Sequence, residues 1–473
     1  MRRGVRRPSI VLMLVSIPVT LVAHAPAAHA QDSTSDPASP YSFTLSRYTQ
    51  ATPNAEPATQ PSKTTSSVPK GEDYSGDIWS RKYLTGDWGG LRTDLADHGI
   101  KFNFRLSQFY QGVASGGANT NFEYGGKLDY ILDIDGQKLG LWPGLFVTMH
   151  AETLFGHSID GDAGAFGLPN TSMLYPLPDQ HKTAITGLLV EQALSKNFIL
   201  AAGKINVLDL WAMVYPRMGS GVDGFMNLNM LAPALPWLRY VNLSVMGGGM
   251  LVLKDDGQVQ GGLLVFDTNN STTTTGFDAF HDGAAILGLW KFFFDLDEKP
   301  GSLLFAFGGS TRRYESLEGT DTTRIPGEGL SNDKKRGAWT GAVVYEQILW
   351  HKPDNDKQDL RLFTGFSISD GDPSFSKWNG FASVEATGLL FGREHDRAGV
   401  GAFFNNLSSD FKDTVSDLGV LGADLRDMWG TELYYNIEIT PWFHLTPSLQ
   451  VVQNANDDND LGVMVGVRGV IDF

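Results

Sequence analysis

Polar and ionisable side chains recur at every second residue in several short stretches of this chain. His150 and Glu152 flank Ala151 in one stretch, and Glu432 and Glu438 share the alternating face of another. A period of two is typical of a β-strand with one polar and one apolar face. Carboxylates accept hydrogen bonds and imidazole can donate or accept, so such a face could bind the hydroxyl groups of a solute.

The sequence lacks the motifs of the common hydrolases and nucleotide-binding enzymes. It contains no Gly-x-Ser-x-Gly, no His-Glu-x-x-His and no Gly-rich loop of P-loop spacing. His157, Ser158 and Asp160 are neighbours in one segment, but the members of a catalytic triad usually converge from distant segments. We therefore expect no enzyme and no cofactor. A glycan hydrolase with paired carboxylates is the lesser alternative, because acidic residues recur on many strands.

The composition indicates an exported protein that does not bind nucleic acid. Four arginines precede an apolar run and a small-residue cleavage site at 28–30, so residues 1–30 are predicted to be a signal peptide. The formal net charge is −16, and it becomes −20 without those four arginines. Such a charge disfavours binding to phosphate backbones. The absence of Cys excludes disulfides and thiolate chemistry.

Two short regions precede the predicted strands. Residues 31–78 are rich in Ser, Thr, Pro and Ala, which predicts a flexible periplasmic tether. Residues 79–100 are predicted to hold a short helix, because Leu91, Leu95 and His98 share one helical face and a glycine follows. Beyond the signal peptide, no segment has the roughly 20 unbroken apolar residues that a membrane-spanning helix requires.

About sixteen strands are predicted in residues 101–473. Their centres lie near residues 105, 129, 149, 189, 201, 243, 263, 287, 306, 343, 364, 384, 401, 435, 448 and 467. Long connections are expected at 111–123, 156–182, 207–237, 268–281, 311–336 and 406–429, with mostly short ones between them. A membrane barrel has short periplasmic turns and long outer loops, whereas a soluble glycan-binding β-protein has no reason to alternate them. The predicted fold class is therefore all-β, a transmembrane antiparallel β-barrel of about sixteen strands with a short N-terminal periplasmic helix.

Tryptophans near the predicted strand ends agree with a membrane barrel. Indole rings favour the bilayer interface, because part of the ring system is apolar and part is wet. The set is Trp142, Trp237, Trp290, Trp350, Trp378, Trp429 and Trp442. Any one of them could be an ordinary sheet-edge aromatic, so only the group is informative.

Two sequence blocks resemble the carbohydrate-selective porins of the outer membrane, the OprB-type porins. The blocks are 84–92 with Leu95 and 99–100, and 432–441 with 445–450. Phe473 is similar to the terminal residue that the barrel-assembly machinery recognises in outer-membrane proteins. The resemblance covers residues 80–473.

This resemblance implies a bacterial outer-membrane channel that admits monosaccharides, glucose above all, by passive diffusion through sixteen strands. The expected partners are small neutral sugars, outer-membrane lipid and lipopolysaccharide, and the assembly machinery through Phe473. A monomer is favoured over a trimer. Nucleic acid, metals and other cofactors are not implied. A general, non-selective diffusion porin is the alternative.

The alternation also predicts which side chains face the lumen and could form a charged and aromatic constriction. The candidate pore-lining residues are Arg105, Asp129, Glu152, Glu191, Lys204, Trp211, Arg217, Glu346, Glu385, Glu432 and Arg468. Any of these charges could instead pair with another charge on the barrel wall. Trp211 and Arg217 belong to residues 207–237, which we expect to fold into the barrel and narrow it. An outer cap packed over the rim is the alternative for that segment.

Overall fold

The computed structural model describes residues 74–175, 182–218, 221–317, 323–325, 329–331, 334–418 and 424–473. The predicted signal peptide and residues 31–73 of the predicted tether lie outside these ranges. Within them, sixteen strands close into one antiparallel barrel, and two short strands form a separate sheet. The predicted fold class is therefore confirmed.

The strands follow one another around the barrel in chain order, and β18 closes it by pairing with β1. The barrel strands are β1 (Ile100–Gly117), β2 (Phe122–Asp135), β3 (Leu145–Gly156), β4 (Thr183–Ser195), β5 (Phe198–Asn206), β6 (Ser244–Leu253), β7 (Val259–Asp267), β8 (Ala284–Leu296), β9 (Lys299–Glu315), β12 (Lys334–Lys352), β13 (Asn355–Ser369), β14 (Ser376–Thr387), β15 (Arg397–Leu407), β16 (Met428–Thr440), β17 (Phe443–Gln453) and β18 (Asp460–Asp472). The separate pair is β10 (Thr323–Ile325) and β11 (Gly329–Ser331).

The helices are short, and they lie before β1 or in the connections between strands. They are α1 (Leu91–Asp97), α2 (Asp160–Ala163), α3 (Thr171–Leu174), α4 (Val207–Val214), α5 (Leu228–Leu231) and α6 (Ser409–Leu418). Among the helices in the described ranges, none has the length and apolar character needed to cross a bilayer. Each predicted strand centre falls within a barrel strand, except that residue 243 lies one residue before β6.

One predicted long connection is wrong. Residues 111–123 are predicted to be a long connection, but β1 continues to Gly117 and β2 begins at Phe122. Gly116 and Gly117 have φ values of +64° and +67°, and the register with β18 shifts here. A side chain at Gly116 would place its Cβ 2.1 Å from the carbonyl oxygen of Leu461. The glycines therefore let the strand bend at a bulge rather than end it.

The two faces of the barrel differ as the period of two requires. Large apolar side chains are exposed on the outer face of most strands, as expected for a wall that contacts lipid. They include Leu188, Val190, Leu200, Leu263, Val265, Phe305, Phe307, Val343, Phe366, Val400, Leu433 and Val465. The opposite face carries the buried ionisable groups. Short turns and both ends of the described chain lie at one end of the barrel, which is the periplasmic end by the usual arrangement.

The predicted N-terminal helix is present and packs against the periplasmic end of the barrel. α1 ends before Gly99, whose φ of +91° is the conformation expected there. The guanidinium of Arg92 lies 4.0 Å from the ring centroid of Tyr83 and 4.6 Å from that of Tyr74. Arg92 also donates to the carbonyl oxygen of Phe102 in β1 (2.9 Å). The helix is thus tied to the first strand.

The tryptophan prediction needs two corrections. Trp142, Trp350 and Trp429 are exposed near strand ends, as interfacial residues should be, but Trp290, also exposed, lies in the middle of β8. Trp237 instead lies in a 3-10 turn inside the barrel, with its ring centroid 6.2 Å from that of Tyr240. Its position close to a strand in sequence did not reveal that its segment folds inward.

Asp160, at the start of α2 in the outer loop 157–182, should make stability depend on pH. Burial raises its pKa to about 6, although Ser158 and the backbone N–H of Asn170 donate to the carboxylate. The folded state therefore binds more protons than the unfolded state between pH of about 4 and 6, so this contribution to stability is lost as pH rises through that window. The free energy of unfolding of Asp160→Asn, taken relative to that of the wild type, should therefore be about 2 kcal/mol higher at pH 8 than at pH 4. Chemical unfolding of both proteins at both pH values measures this change. The same difference in free energy between variant and wild type at pH 4 and pH 8 would contradict the prediction.

Candidate functional site

Residues 207–218 and 221–243, here termed the inner segment, follow β5 and fold into the interior of the barrel. α4 begins after Asn206, whose side-chain oxygen accepts from the backbone N–H of Leu208 (3.1 Å). The inner segment then contains α5 and a 3-10 turn before it reaches β6. Side chains of β1, β3, β8, β13, β16 and β18 hydrogen-bond to it. Because these strands lie on different sides of the barrel, the inner segment crosses the lumen rather than covering the rim.

Apolar contacts hold the inner segment against the inner wall. Phe225, Met226 and Met230 are fully buried. The ring of Phe225 meets that of Tyr434 in β16 at a centroid distance of 4.8 Å. The ring of Tyr215 meets that of Phe363 in β13 at 5.0 Å. Burying such aromatic and methionine side chains is the main favourable contribution to ordering the segment.

Two buried charged residues bind the main chain of the inner segment, and we term them the backbone clamp. The carboxylate of Glu432 accepts from the backbone N–H groups of Met226 (2.8 Å) and Asn227 (3.0 Å). The guanidinium of Arg468 donates to the carbonyl oxygens of Gly221 (2.9 Å) and Gly224 (3.0 Å). Irregular backbone buried in a barrel needs such partners, since its polar groups have lost water.

A first ionic cluster joins β2 and β3 to α4. The ammonium of Lys127 lies 3.0 Å from a carboxylate oxygen of Asp129 and 2.7 Å from one of Glu152. His150 contacts Asp129 through Nε2 (3.0 Å) and Asp209 of α4 through Nδ1 (2.8 Å). Asp129, His150 and Glu152 are close enough together to hold a metal ion. The Lys127 ammonium already supplies a positive charge to both carboxylates, so this donor set does not favour a metal.

A second ionic cluster is centred on Arg361 of β13, which is fully buried. Its guanidinium donates to Glu346 of β12 (2.5 Å) and to Glu385 of β14 (2.6 Å). The second carboxylate oxygen of Glu385 accepts from Arg397 of β15 (3.1 Å) and from the hydroxyl of Tyr434 (2.8 Å). Five neighbouring strands, β12 to β16, are therefore joined by one network with both signs of charge.

The inner segment is attached to this second cluster. Arg217 donates to both oxygens of Asp359 in β13 (2.5 and 2.7 Å) and to the hydroxyl of Thr387 (2.7 Å). Its carbonyl oxygen accepts from Arg397 (2.8 Å). The backbone and side chain of Arg217 are therefore both fixed in place beside the cluster.

Only some of these ionic side chains keep surface open to solvent in the lumen. Arg217 is 26% exposed, Asp223 21%, Glu346 20% and Arg397 15%. Asp223 contacts Arg105 at 3.1 Å. Burial acts to raise the pKa of Asp223, but Arg105 and other nearby guanidiniums hold it below its ordinary value. Asp209 of α4 is likewise 22% exposed, so the open surface carries both guanidiniums and carboxylates.

Most of the predicted pore-lining residues face the lumen but are enclosed by protein. Arg105 pairs with Asp472 at 2.6 Å, and Glu191 accepts from the hydroxyl of Thr148 at 3.4 Å. The residues that are at least nine-tenths buried are Arg105, Asp129, Glu152, Glu191, Glu385, Glu432 and Arg468. Trp211 is half-buried and donates through Nε1 to the carbonyl oxygen of Leu231 (3.1 Å). Together with Arg217 and Glu346, Trp211 therefore keeps surface that a solute could reach.

The prediction that Lys204 lines the lumen is wrong. On β5 it pairs with Leu188 and Met246, and Leu188 is 43% exposed on the outer face. Its ammonium donates to the carbonyl oxygens of Thr272 (3.2 Å) and Thr274 (3.0 Å) in the loop after β7. The inward residues of β5 are apolar where the inner segment covers them. Both faces of β5 are therefore largely apolar, so the charge of Lys204 does not show which face of this strand points into the lumen.

Several residues of the site were missed at the sequence level. Asp359 and Arg361 alternate with Leu360 and Leu362, so the period of two could have placed them on the lumen face. Arg397 opens its strand, where the alternation is too short to assign a face. The partners of these residues depend on which strands become neighbours, and the local pattern holds no such information.

Comparisons with known proteins agree with this architecture. The family model of the carbohydrate-selective porin, OprB family, matches residues 119–473. Porin B of Pseudomonas aeruginosa is 22% identical over 427 residues, which cover 82% of this chain and 90% of that protein. The high-pH structure of Pseudomonas putida OprB superposes with a TM-score of 0.67 at 18% identity, covering 85% of this chain and 100% of that one. The low-pH structure of the same protein gives a TM-score of 0.50 at 16% identity, covering 83% and 99%.

The family assignment rests on the extent of the match, and the structural likeness supports the same fold. Barrels of this family are passive channels of the bacterial outer membrane, so no catalytic role is assigned to the ionic clusters. Since the family model spans β2 to β18, this chain belongs to the carbohydrate-selective porin family, OprB.

Proposed function

We propose that this porin passes monosaccharides such as glucose, and that the inner segment forms its constriction. The observation that carries the proposal is the open surface of Arg217, Asp223, Glu346 and Arg397, which presents both guanidiniums and carboxylates. Guanidiniums donate to sugar hydroxyls and carboxylates accept from them. A surface that offers both donors and acceptors of hydrogen bonds suits a neutral polyol, whose hydroxyl groups can accept and donate.

The half-buried ring of Trp211 adds an apolar surface beside these groups. Its ring centroid lies 4.9 Å from that of Tyr215, which is buried and supports the indole ring from behind. An aromatic face can cover the C–H face of a pyranose, while the ionic groups bind its hydroxyls. Binding must stay weak, because a tightly held solute cannot leave the channel.

The predicted pore residues therefore divide into two proposed roles. Trp211, Arg217 and Glu346 would contact the sugar directly. The enclosed residues Arg105, Asp129, Glu152, Glu191, Glu385, Glu432 and Arg468 would hold the inner segment and the contacting groups in position. The predicted monomeric state and the role of Phe473 in assembly stay predictions.

Single-channel conductance in planar lipid bilayers, with glucose titrated into the bath, tests the proposed function. We expect stepwise currents that fall saturably with glucose and do not fall with a non-sugar solute of similar size. Currents that glucose leaves unchanged would make the protein a general diffusion porin. That result would contradict the proposed selectivity for sugars, while the assignment of the protein as a channel would stand.

Arg217→Ala should weaken the block by glucose about tenfold, since a hydrogen bond from a charged donor contributes about 1.5–3 kcal/mol. The measurement is the glucose concentration that halves the current in single channels. Arg336→Ala is the matched control, because Arg336 is exposed beyond the inner segment, at the outer end of β12. Equal block in both variants would show that Arg217 does not contact the sugar.

A further inference from the structure

Basic residues oppose one another at the outer ends of β9 and β12. Arg313 pairs directly with Arg336 across the two strands, and Lys334 pairs with Glu315. Arg313, Lys334 and Arg336 are all exposed. Three basic residues thus face one carboxylate, on a protein whose formal net charge is −16. This local surplus of positive charge, here termed the basic pair region, runs against the charge of the whole chain.

The burial pattern places the basic pair region on the outside of the barrel. Tyr314, between Arg313 and Glu315, is only 5% exposed and contacts the hydroxyl of Ser310 at 2.8 Å. The guanidinium of Arg239, which belongs to the inner segment, lies 5.0 Å from the Tyr314 ring centroid. Tyr314 therefore points inward. Its neighbours Arg313 and Glu315 point outward, because successive side chains of a strand alternate.

Two guanidiniums directly opposite each other are unfavourable unless an anion lies between them. Like charges at such cross-strand positions destabilise the pair, since their Cβ atoms are only about 4.5–5.5 Å apart. No described acidic residue forms an ion pair with Arg313 or Arg336, although ion pairs join many of the other arginines described. A bound phosphate could accept from both guanidiniums in bidentate fashion, which is the geometry that arginine suits best.

An apolar groove runs down the same wall below the basic pair region. On β9, Phe307 pairs with Gly288 of β8 and with Gly341 of β12, and the groove lies over these two glycines. Trp339 stacks on Phe307 at a centroid distance of 6.4 Å. The sides of the groove include Ile286, Phe305, Val343 and Phe366. Glycines on a lipid-facing wall leave a channel between large side chains that an acyl chain can fill.

We propose that this wall binds a phosphorylated glycolipid of the outer leaflet, with its phosphate between Arg313 and Arg336 and an acyl chain in the groove. Arg336 lies three residues above Trp339, or about 10 Å along the strand. That separation suits a headgroup phosphate above interfacial aromatic rings and acyl chains beneath them. Lys334 adds a third positive charge at the same level.

Native mass spectrometry of the full-length porin, titrated with purified lipopolysaccharide, tests this proposal. We expect the double variant Arg313→Gln with Arg336→Gln to bind the lipid at least about tenfold more weakly than the wild type. Lipopolysaccharide whose lipid A has been enzymatically dephosphorylated should bind the wild type as weakly as the intact lipid binds the variant. The proposal is overturned if the double variant binds the intact lipid as tightly as the wild type does, or if the wild type binds the dephosphorylated lipid as tightly as the intact lipid.

Two further variants separate the proposed site from general charge and folding effects. Lys299→Gln with Lys352→Gln removes two positive charges from the periplasmic ends of β9 and β12, and should leave lipid binding unchanged. Gly341→Leu keeps both arginines but fills the groove, where a Cβ meets nothing closer than 3.9 Å. It should fold normally and bind lipid several-fold more weakly. Unchanged binding by this variant, or equal competition by a soluble polyphosphate without acyl chains, would contradict the lipid assignment.

Discussion

Replacing Arg361 with methionine is expected to lower the free energy of unfolding by about 3–5 kcal/mol, because it leaves the buried carboxylate of Glu385 and the partly exposed carboxylate of Glu346 without their common partner. Arg361 has no exposed surface and donates to Glu346 and Glu385 at 2.5 and 2.6 Å. Glu385 would keep Arg397 and the hydroxyl of Tyr434, whereas Glu346 would keep only Lys291, at 3.8 Å. Methionine fills much of the same space, so the loss measures the charge rather than a cavity.

Equilibrium unfolding by guanidinium in phospholipid vesicles, followed by tryptophan fluorescence, measures this loss. Arg313→Met is the matched control, because Arg313 is exposed at the outer end of β9, and its change should stay within about 0.5 kcal/mol. The loss of unfolding free energy in Arg361→Lys should lie between the losses in Arg361→Met and Arg313→Met. An ammonium keeps the positive charge but cannot bind both carboxylates in the fork geometry of a guanidinium. Similar stabilities for Arg361→Met and the control would mean that the buried network contributes little.

Removing the backbone clamp is expected to release the inner segment while the net charge of the lumen stays constant. The double variant Glu432→Leu with Arg468→Met takes away one negative and one positive charge. It leaves two backbone N–H groups and two carbonyl oxygens without their side-chain partners. A buried polar group without a partner costs about 1–3 kcal/mol, so amide exchange in residues 221–231 should accelerate about a hundredfold. Open-channel current noise should rise with it, because the segment crosses the lumen.

Hydrogen-exchange mass spectrometry and bilayer recordings are the two measurements for this variant. Lys127→Met with Glu152→Leu is the control, since it also removes one buried charge of each sign, but from residues that make no hydrogen bond to residues 221–231. We expect this control to lose stability without faster exchange in 221–231. Wild-type exchange rates in the clamp variant would show that the apolar contacts of Phe225 and Met230 hold the segment by themselves.

Much of the architecture follows from local sequence patterns. The period of two placed fifteen of the sixteen predicted centres inside a barrel strand and the other one residue before β6, because a strand with lipid on one side and polar groups on the other must alternate. It also placed Glu152, Glu346, Glu385 and Glu432 on the inner face. Glycines mislead such a pattern where a strand bends, and the end of β1 at Gly117 was missed for that reason. The family could be recognised from short blocks at both ends of the barrel.

Only the tertiary structure decided which of these inner charges a solute can reach. The alternation assigns a face, but exposure depends on what the inner segment covers, and that segment contacts strand residues up to 247 positions away in sequence. Glu432 is enclosed because it binds that backbone, whereas Glu346 keeps an open edge. Lys204 lies on the outer face, and the pattern assigned it to the lumen wrongly. The inward residues of β5 are apolar too, so this strand lacks the difference between its two faces on which the pattern depends. Long-range packing, which closes the barrel and fills its centre, therefore turned a row of inward charges into a site.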